Sequence, residues 1–177
     1  IVSIVEYAER VNGDAEIDVA VRDDGGFGVG DDDTSQTQRF TISARAVNDA
    51  PSIVAFDPPA SLEDQGEQTV PGWVQLFVPG PVDESGQSVI AYTVGGIEDP
   101  ALFATEPAID LTGALTYTPA ANASGSSTFT VTAQDDGQRA DNGEDTSAAQ
   151  TFVITVTGVN DQPSFTASNP PAVVEDA

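Results

Sequence analysis

The sequence predicts an all-β fold made of repeated β-sandwich domains, and three observations support this prediction. Apolar residues alternate with polar ones in short runs, and Gly, Pro, Asp and Asn fill the gaps between those runs. No stretch of ten residues has the 3.6-residue period of an amphipathic helix. In addition, one part of the chain is similar to another part at a fixed offset, which places Val159 on Val47.

The strands follow from side-chain alternation. Val, Ile, Phe or Tyr alternate with Thr, Ser or Ala, as expected when a sheet has one buried face. About seven short strands in about 110 residues are typical of an aligned sandwich of two sheets. We expect Trp73 to lie in the core between those sheets. The alternating runs are 16–21, 40–44, 89–94, 114–118, 128–133 and 151–157, and two shorter runs are 52–56 and 73–78.

The internal repeat defines the domain organisation. Residues 47–65 and 159–177 are identical at 11 of 19 positions without a gap, and both begin with Val-Asn-Asp-x-Pro-Ser. The period that separates these two segments is too long for a solenoid and matches a domain that buries its own core. We therefore predict the C-terminal part of one repeat at 1–46, a complete β-sandwich repeat at 47–158, and the start of a further repeat at 159–177.

Composition excludes several classes of function. The chain has 29 Asp and Glu against 5 Lys and Arg, a net charge of −24, and it lacks Lys, His, Cys and Met. No basic stripe exists to bind nucleic acid or an anionic membrane surface. The sequence also has no run of about 18 apolar residues, so we do not expect direct membrane insertion. Disulfides and the usual ligands of zinc, haem and iron–sulfur clusters are absent. We do not expect an enzyme, because nucleophilic catalysis with His or Cys cannot be built.

The carboxylates are concentrated between the predicted strands and at the repeat junctions. Asn48 and Asp49 follow a strand and precede Pro51, and acidic pairs occupy 63–64, 83–84 and 135–136. Loops gather at the ends of a sandwich, so these side chains are expected to crowd together and repel one another. Calcium takes six to eight oxygen ligands of these types, whereas magnesium demands a tighter octahedron. The pattern therefore favours bound Ca²⁺.

Three segments carry a resemblance to a known family: 115–119 (Leu-Thr-Tyr-Thr-Pro), 129–137 (Phe-Thr-Val-Thr-Ala-Gln-Asp-Asp-Gly) and the junction 159–163 (Val-Asn-Asp-Gln-Pro). The chain resembles the cadherin-like, immunoglobulin-like tandem repeats of large bacterial surface or secreted adhesins. This resemblance implies tandem Greek-key β-sandwich domains with calcium at the junctions between neighbouring repeats. The loop at 119–125, which is acidic in cadherins, has no carboxylate here, so each junction is expected to hold fewer ions.

The resemblance also implies which residues bind the metal. One junction would use the linker and two loops of the complete repeat. The next junction would combine a glutamate of that repeat with the following linker. A further pair of aspartates would face a junction outside the chain. In that order, the implied ligands are Asn48, Asp49, Asp83, Asp135 and Asp136; then Glu63, Asn160 and Asp161; and finally Asp23 and Asp24.

The resulting hypothesis is a calcium-rigidified extender or stalk repeat of a large extracellular or cell-surface adhesin. An alternative is a subunit of a self-assembling extracellular filament in which identical chains exchange strands. A third is a carbohydrate- or partner-binding module that uses an aromatic such as Tyr92 or Trp73. Two simpler explanations of the acids stay open: Asp-Asp-Gly and Asn-Asp are ordinary turn sequences, and high Asp content suits a saline environment.

Overall fold

The structure is a computed structural model that describes residues 12–23, 34–169, 171–172 and 175. These described residues form an all-β fold, as predicted, and contain three short 3₁₀ turns at 82–84, 100–102 and 140–142. No helix in this described part is long and apolar enough to cross a membrane. The strands are β1 (Gly13–Val19), β2 (Gln38–Ala44), β3 (Ser52–Val54), β4 (Ser61–Leu62), β5 (Gln68–Val70), β6 (Leu76–Val78), β7 (Val89–Gly95), β8 (Phe103–Ile109), β9 (Leu115–Pro119), β10 (Gly125–Asp135) and β11 (Gln150–Thr157).

Between residues 47 and 158 the strands form a four-stranded sheet, a three-stranded sheet and a two-stranded pair. The four-stranded sheet has the order β4-β11-β10-β7, and all its pairs are antiparallel except β4 with β11. The three-stranded sheet has the order β5-β9-β8, and β3 pairs with β6. The longest strand, β10, alternates between buried and half-buried residues from Ser127 onwards, as its sequence pattern predicts.

One hydrophobic core joins these sheets. Trp73 is only 4 % exposed, and its ring packs edge-on against Phe152 with centroids 4.7 Å apart and against Phe129 at 5.9 Å. Its indole N–H donates a 2.7 Å hydrogen bond to the backbone oxygen of Phe56, which satisfies the one polar atom of the side chain. Leu115 and Tyr117 of β9 are also buried in this cluster. Trp73 therefore acts as a core residue that contacts the four-stranded sheet.

The β1–β2 hairpin repeats the pairing of β10 with β11. Gly13 pairs with Ala44 and Gly125 with Val156, so both strands are displaced by the same offset that relates the two linkers in the sequence. Burial differs sharply between the two hairpins, because Phe40 is 57 % exposed whereas its counterpart Phe152 is 5 % exposed. The hairpin thus has the backbone register of a repeat, while the described residues leave its apolar face uncovered.

Three strands were absent from the sequence prediction. β4 and β5 have only two and three residues, too few to show a period. β8 contains Pro107, and its pairing with β9 is irregular between Phe103 and Ala108. Proline cannot donate a ladder hydrogen bond, so it is found at edges and bulges, and β8 is indeed an edge strand.

Candidate functional site

The candidate site lies where the linker 45–51 meets the loops of the following repeat. A cavity of about 250 Å³ opens here between the linker and two loops. Its wall comes from three places in the sequence: the linker, the 3₁₀ turn at 82–84 with its continuation, and the segment after β10. The lining residues are Ala46, Val47, Asn48, Asp83, Glu84, Gln87, Gln138 and Ala140.

Asn48 is the centre of the polar network around this cavity. Its amide nitrogen donates to Asp135 Oδ1 at 3.2 Å and to the backbone oxygen of Glu144 at 2.6 Å. Its amide oxygen accepts a 2.7 Å bond from Gln87 Nε2. Its backbone oxygen accepts the N–H of Glu144 at 2.9 Å. One linker residue is therefore fastened to three separate segments of the repeat that follows it.

Asp135 is held in place at the end of β10. The pairing of β10 with β7 shifts register between Gln134 and Asp135, where Ile90 is the extra residue on β7, and Asp135 is 1 % exposed. Its Oδ1 accepts the N–H of Gly137 at 2.9 Å as well as the Asn48 amide, but its Oδ2 is buried without a hydrogen-bond partner. A buried carboxylate oxygen without a donor is costly unless another group compensates it.

Glu84 enters the site because a 3₁₀ turn begins directly after Pro81 and directs the side chain inward. The residue is 5 % exposed, its Oε1 accepts the N–H of Asp49 at 2.8 Å, and its Oε2 is buried without a partner. Burial raises the pKa of this carboxyl. The negative charges of Asp49, Asp83 and Asp135 raise it further, against the lowering effect of the Asp49 N–H. The raised pKa thus reflects first the burial of this carboxyl and then the negative charges near it.

The other predicted ligands at this junction lie at the edge of the cluster. Asp49 and Asp83 are exposed, and Asp83 Oδ2 accepts a 2.6 Å bond from the amide of Asn12, which belongs to the preceding hairpin. Asp136 is exposed, and its Oδ1 accepts the N–H of Ser88, the residue before β7, at 2.9 Å. The structure thus brings Asn48, Asp135 and the backbone of Asp49 into one network.

At the other end of the repeat the predicted ligands are not assembled. Glu63 is 7 % exposed, and its Oε1 accepts the N–H of Val159, the first residue of the next linker, at 2.6 Å. Asn160 and Asp161 are exposed, and the Asn160 amide donates to the backbone oxygen of Asp161. Asp23 is exposed next to a bridge between Arg22 and Thr34, and Asp24 lies outside the described residues.

Glu84 and Gln87 are the site residues that the predicted ligand set omits. The acidic pair at 83–84 is visible in the sequence, but the sequence does not show which of the two carboxylates points inward. Gln87 carries no charge and therefore gave no signal. It nevertheless contributes a buried amide oxygen, Oε1, that has no hydrogen-bond partner.

The donor set can be tested for its fit to calcium. Three buried oxygens without partners come from Glu84, Gln87 and Asp135, all of them side chains of the network around Asn48. Oxygen atoms of carboxylates and amides are the ligands that calcium takes. In the described part of the chain, no group of three or more Asp or Glu side chains is arranged to hold a metal ion. The network thus offers oxygens of the type that calcium takes, from two buried carboxylates and one amide, without a cluster of three acids.

A second buried acid near the site has hydrogen-bond partners for both of its carboxylate oxygens. Asp145 is 6 % exposed, and its carboxylate accepts from Gln134 Nε2 at 2.9 Å and from Thr146 Oγ1 at 2.8 Å. These hydrogen bonds, aided by the charge of Arg139, hold the pKa of Asp145 below its ordinary value. The Asp145 carboxylate is therefore satisfied by its hydrogen bonds and ion pair, whereas Glu84 Oε2 has no partner.

Gly137 gives a test of how firmly Asn48 is docked. A Cβ at Gly137 would overlap the Asn48 amide, so Gly137→Ala must displace that side chain. We expect a loss of about 1–3 kcal/mol in unfolding free energy, because buried partners of the amide lose their bonds. The measurement is chemical denaturation of both proteins.

Gly86→Ala is the matched control for this substitution. A Cβ at Gly86 meets no atom within 4 Å, and the residue does not have a positive φ. We expect Gly86→Ala to change stability by no more than about 1 kcal/mol. Equal losses in the two variants would show that the docking of Asn48 contributes nothing to stability.

Comparison of the chain with family models, with curated proteins and with solved structures finds no match.

Proposed function

We propose that this chain is part of a tandem array of immunoglobulin-like or cadherin-like β-sandwich repeats that bind Ca²⁺ at their junctions. The array would act as an extender or stalk of a secreted or cell-surface adhesin. Its partners would be the neighbouring repeats, and it would carry no catalytic activity. The observation that carries the proposal is the group of buried, unpartnered oxygens of Glu84, Gln87 and Asp135 beside the inter-repeat linker.

Strand order supports the sandwich part of this proposal. With β3 and β4 taken together as strand A, β5 and β6 as strand B, and β7 to β11 as strands C to G, β11-β10-β7 corresponds to the G-F-C sheet of an immunoglobulin-type domain. The pairs of β3 with β6 and of β5 with β9, extended by β8, correspond to its A-B-E-D sheet. The common register of β1–β2 and β10–β11 supports a tandem arrangement of such units.

The proposed mechanism is electrostatic. The linker residue Asn48 is already bound to the following repeat, and the preceding hairpin contacts Asp83 through Asn12. A dication near Glu84 and Asp135 would compensate their buried charge and draw the exposed carboxylates of Asp49 and Asp83 inward. Binding only the folded, docked form, it would stabilise both the fold and the angle between repeats.

Calcium titration tests this function directly. At a free concentration of about 100 times Kd, a ligand specific for the folded state adds about 2.7 kcal/mol. For a domain of about 100 residues this corresponds to a rise in Tm of about 10 °C. We also expect a narrower distribution of shapes in solution scattering. A chelator that changes neither the melting curve nor the scattering profile would contradict the proposal.

Two variants separate cation binding from stability. Asp135→Asn removes a buried charge that no donor satisfies at Oδ2, and we expect it to abolish the calcium-induced rise in Tm. Asp145→Asn weakens hydrogen bonds to Gln134 and Thr146 and should lower stability, yet it should keep the calcium response. Calcium responses lost equally in both variants would place the ion elsewhere.

One observation favours the alternative of a filament subunit. The apolar face of β1–β2 is exposed in the described residues, with Phe40 57 % and Val19 40 % exposed. Strands donated by another chain could cover this face, as in strand exchange. Under this alternative, electron microscopy at rising protein concentration should show polymers, and Phe40→Ser should prevent them.

A further inference from the structure

Two glycines at the candidate site differ from the other glycines that the structure describes in what their missing side chains leave room for. A Cβ at Gly80 would overlap Oε2 of Glu84, and a Cβ at Gly137 would overlap the amide of Asn48. At the other described glycines, no contact of a Cβ would be as short. Neither Gly80 nor Gly137 has a positive φ, so the backbone conformation does not require glycine. Both positions therefore make room for a side chain of the network around Asn48.

The overlap at Gly80 involves one side chain. A Cβ there would lie 2.9 Å from Cδ of Glu84, in addition to its overlap with Oε2. The next atom, Cβ of Asp49, would be 3.5 Å away, which is an ordinary van der Waals distance. An alanine would thus fit at this position if the Glu84 carboxylate lay elsewhere.

The backbone around Gly80 has little freedom to relieve the overlap. The residue stands between Pro79 and Pro81, whose rings fix φ, and a residue before proline is restricted as well. The turn that follows is held by its own hydrogen bonds. The N–H of Glu84 donates to the backbone oxygen of Pro81 at 3.0 Å, and the backbone oxygen of Glu84 accepts the N–H of Gln87 at 2.9 Å. A side chain at Gly80 would therefore displace the Glu84 carboxylate.

The two oxygens of the Glu84 carboxylate have different surroundings in its present position. Oε1 accepts the backbone N–H of Asp49 at 2.8 Å and so holds the linker. Oε2 is buried against Gly80 without a hydrogen-bond partner. Displacing this one carboxylate would therefore release the linker N–H and also remove one of the oxygens assigned to the cation.

We infer that Gly80 is a positioning residue of the junction: because it lacks a side chain, Glu84 can hold the linker with one oxygen and offer the other to a cation. Linker docking and cation binding then depend on the same carboxylate, so each should favour the other by the same factor. The statement about the cation rests on the proposed function. The statement about the linker does not, because it follows from the hydrogen bond between Glu84 and Asp49.

Amide hydrogen exchange of Asp49, measured by NMR in the absence of calcium, tests the hold on the linker. In Gly80→Ala we expect this amide to exchange about 10 to 100 times faster than in the parent, because it loses a charged acceptor. The amides of β10 should keep their exchange rates. An unchanged rate at Asp49, or an equal acceleration throughout β10, would overturn the positioning role.

Two further variants show whether Gly80 acts through Glu84. Gly86→Ala lies in the same loop, its Cβ meets no atom within 4 Å, and it should leave the Asp49 amide protected. Glu84→Ala should accelerate the exchange of Asp49 as much as Gly80→Ala does. Adding Gly80→Ala to Glu84→Ala should cause no further change, because the overlapping atoms are gone. A further acceleration in the double variant would mean that Gly80 acts by another route, and the inference would fail.

Calcium titration of the same variants tests the second part. Gly80→Ala should lose most of the calcium-induced rise in Tm, and Gly86→Ala should keep it. An equal rise in the parent and in Gly80→Ala would exclude Gly80 from the cation site. A parent protein that does not respond to calcium would contradict the proposed function, while the exchange of Asp49 would still decide whether Gly80 positions Glu84.

Discussion

Trp73→Ala should lower the unfolding free energy by about 3–5 kcal/mol, the range for removing a buried Trp or Phe side chain. The variant loses the packing against Phe129 and Phe152 and leaves the backbone oxygen of Phe56 without its donor. For a domain of about 100 residues the loss corresponds to about 12–20 °C in Tm. Chemical denaturation and calorimetry measure both quantities.

Two control substitutions separate the contributions of the indole N–H and of burial to this loss of stability. Trp73→Phe keeps an aromatic ring but removes the N–H, so a smaller loss is expected, including about 1 kcal/mol for the hydrogen bond. Leu111→Ala truncates an apolar residue that is 61 % exposed and should stay within about 0.5 kcal/mol of the parent. If Trp73→Ala were as mild as Leu111→Ala, the core assignment of the indole would fail.

Glu84→Gln should stabilise the cation-free protein at pH 7 by about 1–3 kcal/mol, because it removes a buried charge whose Oε2 has no partner. The glutamine oxygen can still accept the N–H of Asp49, so the turn keeps its anchor. When calcium is added, the Tm of the variant should rise less than that of the parent, because the variant lacks one carboxylate ligand. The stability difference between the two proteins should therefore shrink.

The pH dependence of stability gives an independent measurement on the same residue. The pKa of Glu84 is raised above its ordinary value of 4.5, so the folded protein keeps this proton at a pH where the unfolded chain has lost it. The folded state then binds more protons, and stability falls as pH rises from about 4.5 through the raised pKa. Glu84→Gln should remove this part of the decline.

Asp83→Asn is the matched control, because Asp83 is the neighbouring carboxylate and is exposed. Its hydrogen bond from Asn12 is retained by an amide oxygen, and exposed charges contribute little. We expect a change within about 0.5 kcal/mol and a pH profile that keeps its decline, moved toward lower pH because one of the charges that raise the pKa of Glu84 is gone. A destabilised Glu84→Gln protein without cation would mean that the buried carboxylate is favourable as it stands.

Sequence pattern predicted the regular part of the fold for a physical reason. Strands β7, β9, β10 and β11 are long enough to alternate, and one face of each packs on the core, so the period of two is visible. The short β4 and β5 depend on tertiary pairing and show no period in the sequence. Pro107 interrupts the strand pattern of β8, so this strand was not predicted. Trp73 was placed in the core because a single large aromatic among short apolar runs is most stable there.

The candidate site was predictable only as a region. Asn48, Asp135 and the acidic cluster at 83–84 were recognised as loop residues that should meet, and the structure joins Asn48 to Asp135 directly. The inward turn of Glu84 depends on the 3₁₀ geometry after Pro81, and the part of Gln87 depends on its distance from Asn48. Neither the direction of the Glu84 side chain nor the distance from Gln87 to Asn48 can be predicted from residue type or spacing. Calcium itself stays a prediction.

The parallel pairing of β4 with β11 has a consequence for a chain under tension. Ser61 lies near the entry of the repeat and Val156 near its exit, so a force that pulls the two termini apart would slide these strands past each other. Their hydrogen bonds, together with those from Val153 to Asp57 and from Val159 to Glu63, would be loaded at the same time rather than opened one after another. The sandwich between residues 47 and 158 is thus arranged to resist stretching between its two ends.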